Sequence, residues 1–184
     1  MKRLVFLASA AVIAAGPVVA SAQAAPAAAR AAAVTGVRAD MLEQFDEAAS
    51  KLEQLAGAIG QDKYGWRPGQ GVRSVSEVFM HVVGANYYIP TFAGVQSSKQ
   101  MSENGETAVT DKAQVIAALK ESFDHVRNAI RGLKDADLDK PTTMFGQKTT
   151  MRNVYLTTVT HAHEHLGQLI AYARTNGVVP PWSN

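Results

Sequence analysis

The sequence contains no cysteine. That excludes disulfides, the thiol chemistry of redox proteins, and a lipid anchor on a cysteine behind an export signal. An exported chain of this kind depends on its core, with some help from a bound metal. A charge excess is also missing. Lys and Arg total 18 against 16 Asp and Glu, and Lys2 and Arg3 account for the whole surplus of +2. No basic cluster marks a nucleic-acid partner. A membrane-length apolar run is absent as well. Residues 4–15 form an apolar stretch of 12. At ~1.5 Å per residue it falls well short of the ~30 Å hydrocarbon core.

That stretch instead reads as the centre of a secretory signal. Met1-Lys2-Arg3 precedes it, Gly16-Pro17 breaks it, and Ala22-Gln23-Ala24 supplies a cleavage site. The expectation is a signal peptide over 1–24 and an exported chain, periplasmic or secreted, with no membrane span in its mature form. Removing Lys2 and Arg3 brings the mature net charge to zero. Residues 25–38 are Ala-rich, with too few large side chains to pack, and read as a flexible lead-in. Residues 39–184 are enough for one domain with a real core.

Four segments of this domain show helical periodicity. In residues 40–59, Leu42, Phe45, Ala49, Leu52, Ala56 and Ile59 are spaced 3, 4, 3, 4, 3, and Gly60 is expected to end the helix. The connector 61–73 contains Tyr64-Gly65-Trp66-Arg67-Pro68-Gly69, which cannot form regular helix. Its aromatics read as a cap on the bundle. Ser74-Val75-Ser76-Glu77 is a capping box that opens the second helix, and Pro90 weakens that helix near its end. Residues 96–110 are polar and read as a long loop, either a lid or a surface insertion. Thr110 or Asp111 caps a third helix, whose seam is Ile116, Leu119, Phe123, Val126, Ile130 and Leu133. His125 lies off that seam and reads as a solvated surface residue. In the second connector, Thr142-Thr143-Met144 is a candidate extended piece. Thr150 caps the fourth helix, which Gly177 terminates and Pro180-Pro181 keeps from resuming.

Along the fourth helix Met151, Val154, Thr158, His161 and His165 follow the 3, 4 spacing. Two histidines therefore occupy seam positions where the other helices carry Leu, Val and Phe. An i, i+4 pair shares one face and brings two imidazoles to one metal ion. His163 points the other way. His81, on the edge of the second helix's seam, is the best third ligand. Three histidines make a neutral ligand set with an open fourth position, the pattern of a catalytic rather than a structural zinc site. Nickel fits equally well. Metal-free core histidines, hydrogen-bonded to Thr158, Gln168 or backbone, are the bland alternative. His163-Glu164-His165 does not complete an H-E-x-x-H motif, because position 167 is glycine. Glu164 and Tyr88 are the candidates for acid–base chemistry, and Thr158 and Gln168 for support of the ligands.

Trp66-Arg67-Pro68 with 73–81, the His-x-x-x-His pair followed by Leu166-Gly167-Gln168, and the ending 176–183 together resemble the DinB/YfiT-like superfamily. The resemblance spans nearly the whole mature chain. It implies an all-α four-helix bundle in up-down-down-up order and a divalent-metal site on His81, His161 and His165. It also implies a small-molecule substrate or ligand and often a homodimer. Relatives of this kind include transferases and isomerases that use a low-molecular-weight thiol. The functional expectation is a metal-dependent enzyme in which the three-histidine site activates water or a substrate group, as a hydrolase or a transferase. The alternative is a non-catalytic metal- or ligand-binding module.

Overall fold

A computed structural model describes residues 34–97, 99 and 105–183. The expected signal peptide and residues 25–33 of the lead-in lie outside the described residues, as does part of the polar stretch 96–110.

Four long helices carry the fold: α1 (Val37–Ala58), α2 (Val75–Tyr88), α4 (Lys112–Gly132) and α5 (Met151–Thr175). A short helix, α3 (Gly105–Ala108), lies inside the polar stretch read as loop. A two-stranded antiparallel hairpin, β1 (Pro141–Met144) and β2 (Gln147–Thr150), precedes α5. Cross-helix contacts give the directions. Phe45 packs edge-on against Phe123 while Lys112 Nζ reaches the carbonyls of Gly57 and Ile59, so α1 and α4 are antiparallel. His163 bonds Gln44 near the start of α1, and Lys51 further on reaches Trp182 beyond α5, so α1 and α5 are parallel. His81 meets His161 while Ile89 clusters with Val154, so α2 runs against α5. The order is up-down-down-up, as the resemblance implies.

The seams identified in the sequence form the core. Phe45, Ala49, Leu52, Ala56 and Ile59 of the first helical segment are buried, as are Leu119, Phe123, Val126 and Ile130 of α4. Burial extends beyond the heptad stripe to Met41, Ala48 and Leu55, because α1 packs against both α4 and α5. Inside the core, Asn86 Nδ2 donates to Ser122 Oγ, which donates to the Leu119 carbonyl. This small polar pair between α2 and α4 is thus satisfied.

Boundaries differ from the sequence reading in three places. α1 starts at Val37, three residues before the expected Asp40, and Arg38 is held there by Asp135 and the Leu133 carbonyl. Its helix ends at Ala58, and Gly60 is not left-handed (φ −67°), so no glycine C-cap forms. The Thr142–Met144 piece is one strand of a hairpin whose return strand had no apolar alternation to betray it. Phe145 (φ 51°) and Gly146 (φ 78°) make the tight turn, with the two positive φ values that hairpins favour.

The connector around Tyr64 does more than cover the bundle. Its Tyr64 and Trp66 carbonyls accept from the Ser76 and Val75 amides, two orphan donors in the first turn of α2. Tyr64 itself is fully buried, and its hydroxyl donates to the Ala56 carbonyl at 2.8 Å. Ser74 accepts from the Glu77 amide while Glu77 accepts from the Ser74 amide, which is the capping box the sequence shows. Together these contacts fix the start of α2, and with it the position of His81 two turns on.

Candidate metal centre

His81 from α2 and His161 and His165 from α5 meet between the two helices. Their ring centroids are 4.4–5.1 Å apart. His161 Nε2 lies 3.1 Å from His81 Nε2 and 3.1 Å from His165 Nε2. One nitrogen from each of the three falls within 4.8 Å of the others. Three nitrogens each ~2.0–2.1 Å from one tetrahedral ion stand about 3.3 Å from one another. The two 3.1 Å separations to His161 Nε2 are close to what such an ion requires. His165 is 8% exposed and the other two rings are half-buried, so one side of the group faces solvent.

The hydrogen bonds on the far sides of the rings decide where the protons are. The Arg73 carbonyl can only accept, so the Tyr172 hydroxyl donates to it at 3.3 Å. That hydroxyl then accepts from Gln168 Nε2 at 3.0 Å. Gln168 thereby turns its Oε1 toward His165 Nδ1 at 2.8 Å, and Nδ1 carries the proton. On the other ring, the Glu106 carboxylate accepts from His81 Nδ1 at 2.7 Å. Neutral His165, with its proton on Nδ1, has a bare Nε2 lone pair aimed at His161 Nε2, and the Glu106 bond favours the same tautomer of His81, whose Nε2 also faces His161. A proton on His161 serves one neighbour well and leaves the other facing it poorly. A cation satisfies all three at once.

The electrostatics point the same way. Burial, then the neighbouring His165 and His81, pushes the His161 pKa down to about 4. Burial also lowers His165, against the opposing bond to Gln168. Burial works to raise Glu106, but its bonds to Arg73 and His81 prevail and hold it below the ordinary carboxylate range. At neutral pH His161 and His165 are therefore neutral imidazoles, and Glu106 is an ionised carboxylate.

The other residues singled out in the sequence fall elsewhere. His163 faces α1, its Nε2 3.0 Å from the Gln44 carbonyl. Thr158 donates to the Val154 carbonyl and does not support a ligand, whereas Gln168 does. Glu164 is exposed. Tyr88 is 56% exposed, and its ring packs on Phe92 and Phe145 at the hairpin tip. His125 is not a solvated surface histidine. Its Nε2 is buried and its ring lies 4.9 Å from that of Tyr87, because α2 packs over this flank of α4.

Glu106, Arg73 and Tyr172 were missed in the sequence. Glu106 sits in a polar stretch with no periodicity. Arg73 is one of 18 basic residues; it opened the 73–81 stretch of the resemblance, but no sequence signal assigned its side chain a role.

Comparison with known proteins gives the family and the fold. The family model described as the DinB superfamily matches residues 44–169, more than half of the chain. The chain belongs to the DinB superfamily. Solved structures of this bundle agree. A DinB-like protein from Bacillus cereus superposes with a TM-score of 0.68 at 18% identity, covering 78% of this chain and 95% of that one. A second DinB-like protein, from Bacillus subtilis, gives 0.61 at 19% identity, covering 76% and 93%. YfiT from Bacillus subtilis, described as a probable metal-dependent hydrolase with an unusual four-helix bundle topology, gives 0.63 at 16% identity, covering 80% and 93%. The comparison with curated proteins gives no match. At these identities the DinB structures share the fold of this chain.

Proposed function

We propose that this DinB-superfamily protein is an exported, divalent-metal-dependent enzyme of the hydrolase type. Nε2 of His81, His161 and His165 would hold zinc or nickel and leave one position open to a small-molecule substrate. The observation that carries the reading is the convergence of three Nε2 atoms, two of them on rings whose Nδ1 partners favour the tautomer that leaves Nε2 for an ion. The description of YfiT as a probable metal-dependent hydrolase adds support from a protein of the same fold. An ion of this kind polarises a carbonyl or phosphoryl oxygen and lowers the pKa of a water beside it toward ~7. The chain's own part is to hold the imidazoles fixed in direction and partly shielded from solvent.

Export rests on the sequence of residues 1–24, and it favours hydrolysis over chemistry that draws on a cytosolic thiol. No helix among the described residues is long and apolar enough to cross a membrane. The test is metal analysis of protein as isolated, followed by assay against chromogenic esters, amides and phosphoesters with and without chelator. One ion per chain, and turnover lost in His161→Ala, is expected. Protein that takes up no stoichiometric zinc or nickel ends the proposal.

A second reading, a non-catalytic binding module, draws on the placement of Glu164 and Tyr88. Glu164 is exposed and Tyr88 stacks at the hairpin tip, roughly 10 Å along α2 from His81. Stoichiometric metal with no metal-dependent turnover across the panel favours that reading.

A further inference from the structure

We propose that Glu106, clamped by Arg73, is a positioning residue of the metal site, holding His81 in the tautomer that ligates. This rests on the reading of His81, His161 and His165 as ligands. Arg73 stands immediately before the N-cap of α2, and its guanidinium forks onto Glu106. Nε meets Oε2 at 2.6 Å and Nη2 meets Oε1 at 3.3 Å. A two-pronged, charge-assisted pair of this kind fixes orientation as well as distance. Oε1, steadied in this way, accepts from His81 Nδ1. An imidazole with its proton on Nδ1 has its lone pair on Nε2, the atom that faces His161.

The carboxylate sits beside Nδ1, across the ring from Nε2. It does not reach a group bound at the open position, so its part is positioning and not catalysis. A carboxylate on the outer nitrogen also makes the ring a stronger donor to the ion. Glu106 comes from α3, a four-residue helix in the polar stretch 96–110. That stretch thus supplies a working part of the site rather than a tolerated insertion.

Arg73 also faces the second ligand, by a different route. Its carbonyl anchors Tyr172, which orients Gln168 against His165. This second arm runs through the backbone of Arg73 and survives replacement of its side chain. The two arms therefore separate: substitutions at Glu106 or at the Arg73 side chain act on the hydrogen bond to His81 and leave the one between His165 and Gln168 in place.

The experiment measures zinc affinity of the full chain by chelator competition. Imidazole 15N–1H correlation spectra of the metal-free protein are recorded alongside. Glu106→Ala should weaken zinc by roughly 10–100-fold and move the His81 proton off Nδ1, while His165 keeps its own. Glu106→Gln, whose amide oxygen still accepts, should lose less. Arg73→Lys, which keeps the charge but not the fork, should also lose less. Affinity of Glu106→Ala within about two-fold of wild type, or a His81 proton still on Nδ1, overturns the proposal. Should wild-type protein bind no zinc, the proposed function fails separately, and the tautomer in metal-free Glu106→Ala alone decides the role of Glu106.

Discussion

His81 and His161 stand 80 residues apart in the chain and meet Nε2 to Nε2 at 3.1 Å. They belong to antiparallel neighbours in the bundle, α2 and α5. Two imidazoles in that approach need either a proton between them or a shared cation. The bond from His81 Nδ1 to Glu106 has already placed the His81 proton on the other side of its ring.

Zinc or nickel should therefore stabilise the fold. At a free concentration 100-fold above Kd, binding to the native state alone adds about 2.7 kcal/mol. For a domain of this size that raises Tm by roughly 5–10 °C. Thermal melts with metal and with chelator measure it, and coincident melts would contradict the metal reading.

The three histidines of α5 should separate sharply. His161→Ala removes a converging nitrogen and should abolish tight metal binding. His163→Ala removes a bond to the Gln44 carbonyl on the opposite face and should leave metal affinity near wild type. Its cost should be about 1 kcal/mol of stability, the usual worth of one hydrogen bond. Titration calorimetry with urea melts resolves the two effects.

Metal-free protein should lose stability in mild acid. Burial first, then neighbouring rings, holds His161 near about 4, below its ordinary 6.5, and His165 is lowered in the same direction. The unfolded chain takes up these protons first as pH falls, so it is favoured progressively below about pH 6.5. The contribution is fully present above that pH and is lost as pH drops through 4. Urea midpoints of chelated protein at pH 7 and pH 5 should show the fall. His161→Gln should flatten it.

Alkaline stability should depend on Tyr64. Burial, then Asp111, pushes its phenol well above the ordinary 10. Above pH 10 the unfolded chain releases this proton and the native state does not, so stability declines as pH rises. Tyr64→Phe should remove that part of the decline. At pH 7 it should cost about 1 kcal/mol through the lost bond to the Ala56 carbonyl. Denaturant melts at pH 8 and pH 11 compare the two.

The start of α2 offers a local check. Ser74→Ala breaks the capping box and should cost about 1 kcal/mol. It should also weaken metal binding modestly, since the first turn of α2 sets the height of His81 in the groove. A variant with unchanged urea midpoint would mean that the Tyr64 and Trp66 carbonyls alone hold this helix end.

Much of the molecule was legible in the chain because its signals are local. Heptad spacing exposes the buried stripe of each helix, since side chains three and four apart share a face. The capping box, the helix-breaking Pro90 and the i, i+4 histidine pair depend on neighbours within a turn or two. His81 was within reach because it lies on the edge of such a stripe.

Residues outside any period were not legible. The polar stretch holding Glu106 has none, and neither does the return strand Gln147–Thr150. His125 looked solvated because its position off one seam says nothing about what packs over it. Tyr88 looked close to His81 because it shares that helix face, yet its ring turns to Phe92 and Phe145.

The sequence by itself determined the helices, their buried faces and the identity of the three clustered imidazoles, because each follows from the spacing of side chains along one backbone. Only the tertiary structure decided which atoms of those rings face one another and where their protons lie. That depends on Arg73, Glu106, Gln168 and Tyr172, drawn from three separate segments, and hydrogen-bond directions between segments exist only once the helices have packed.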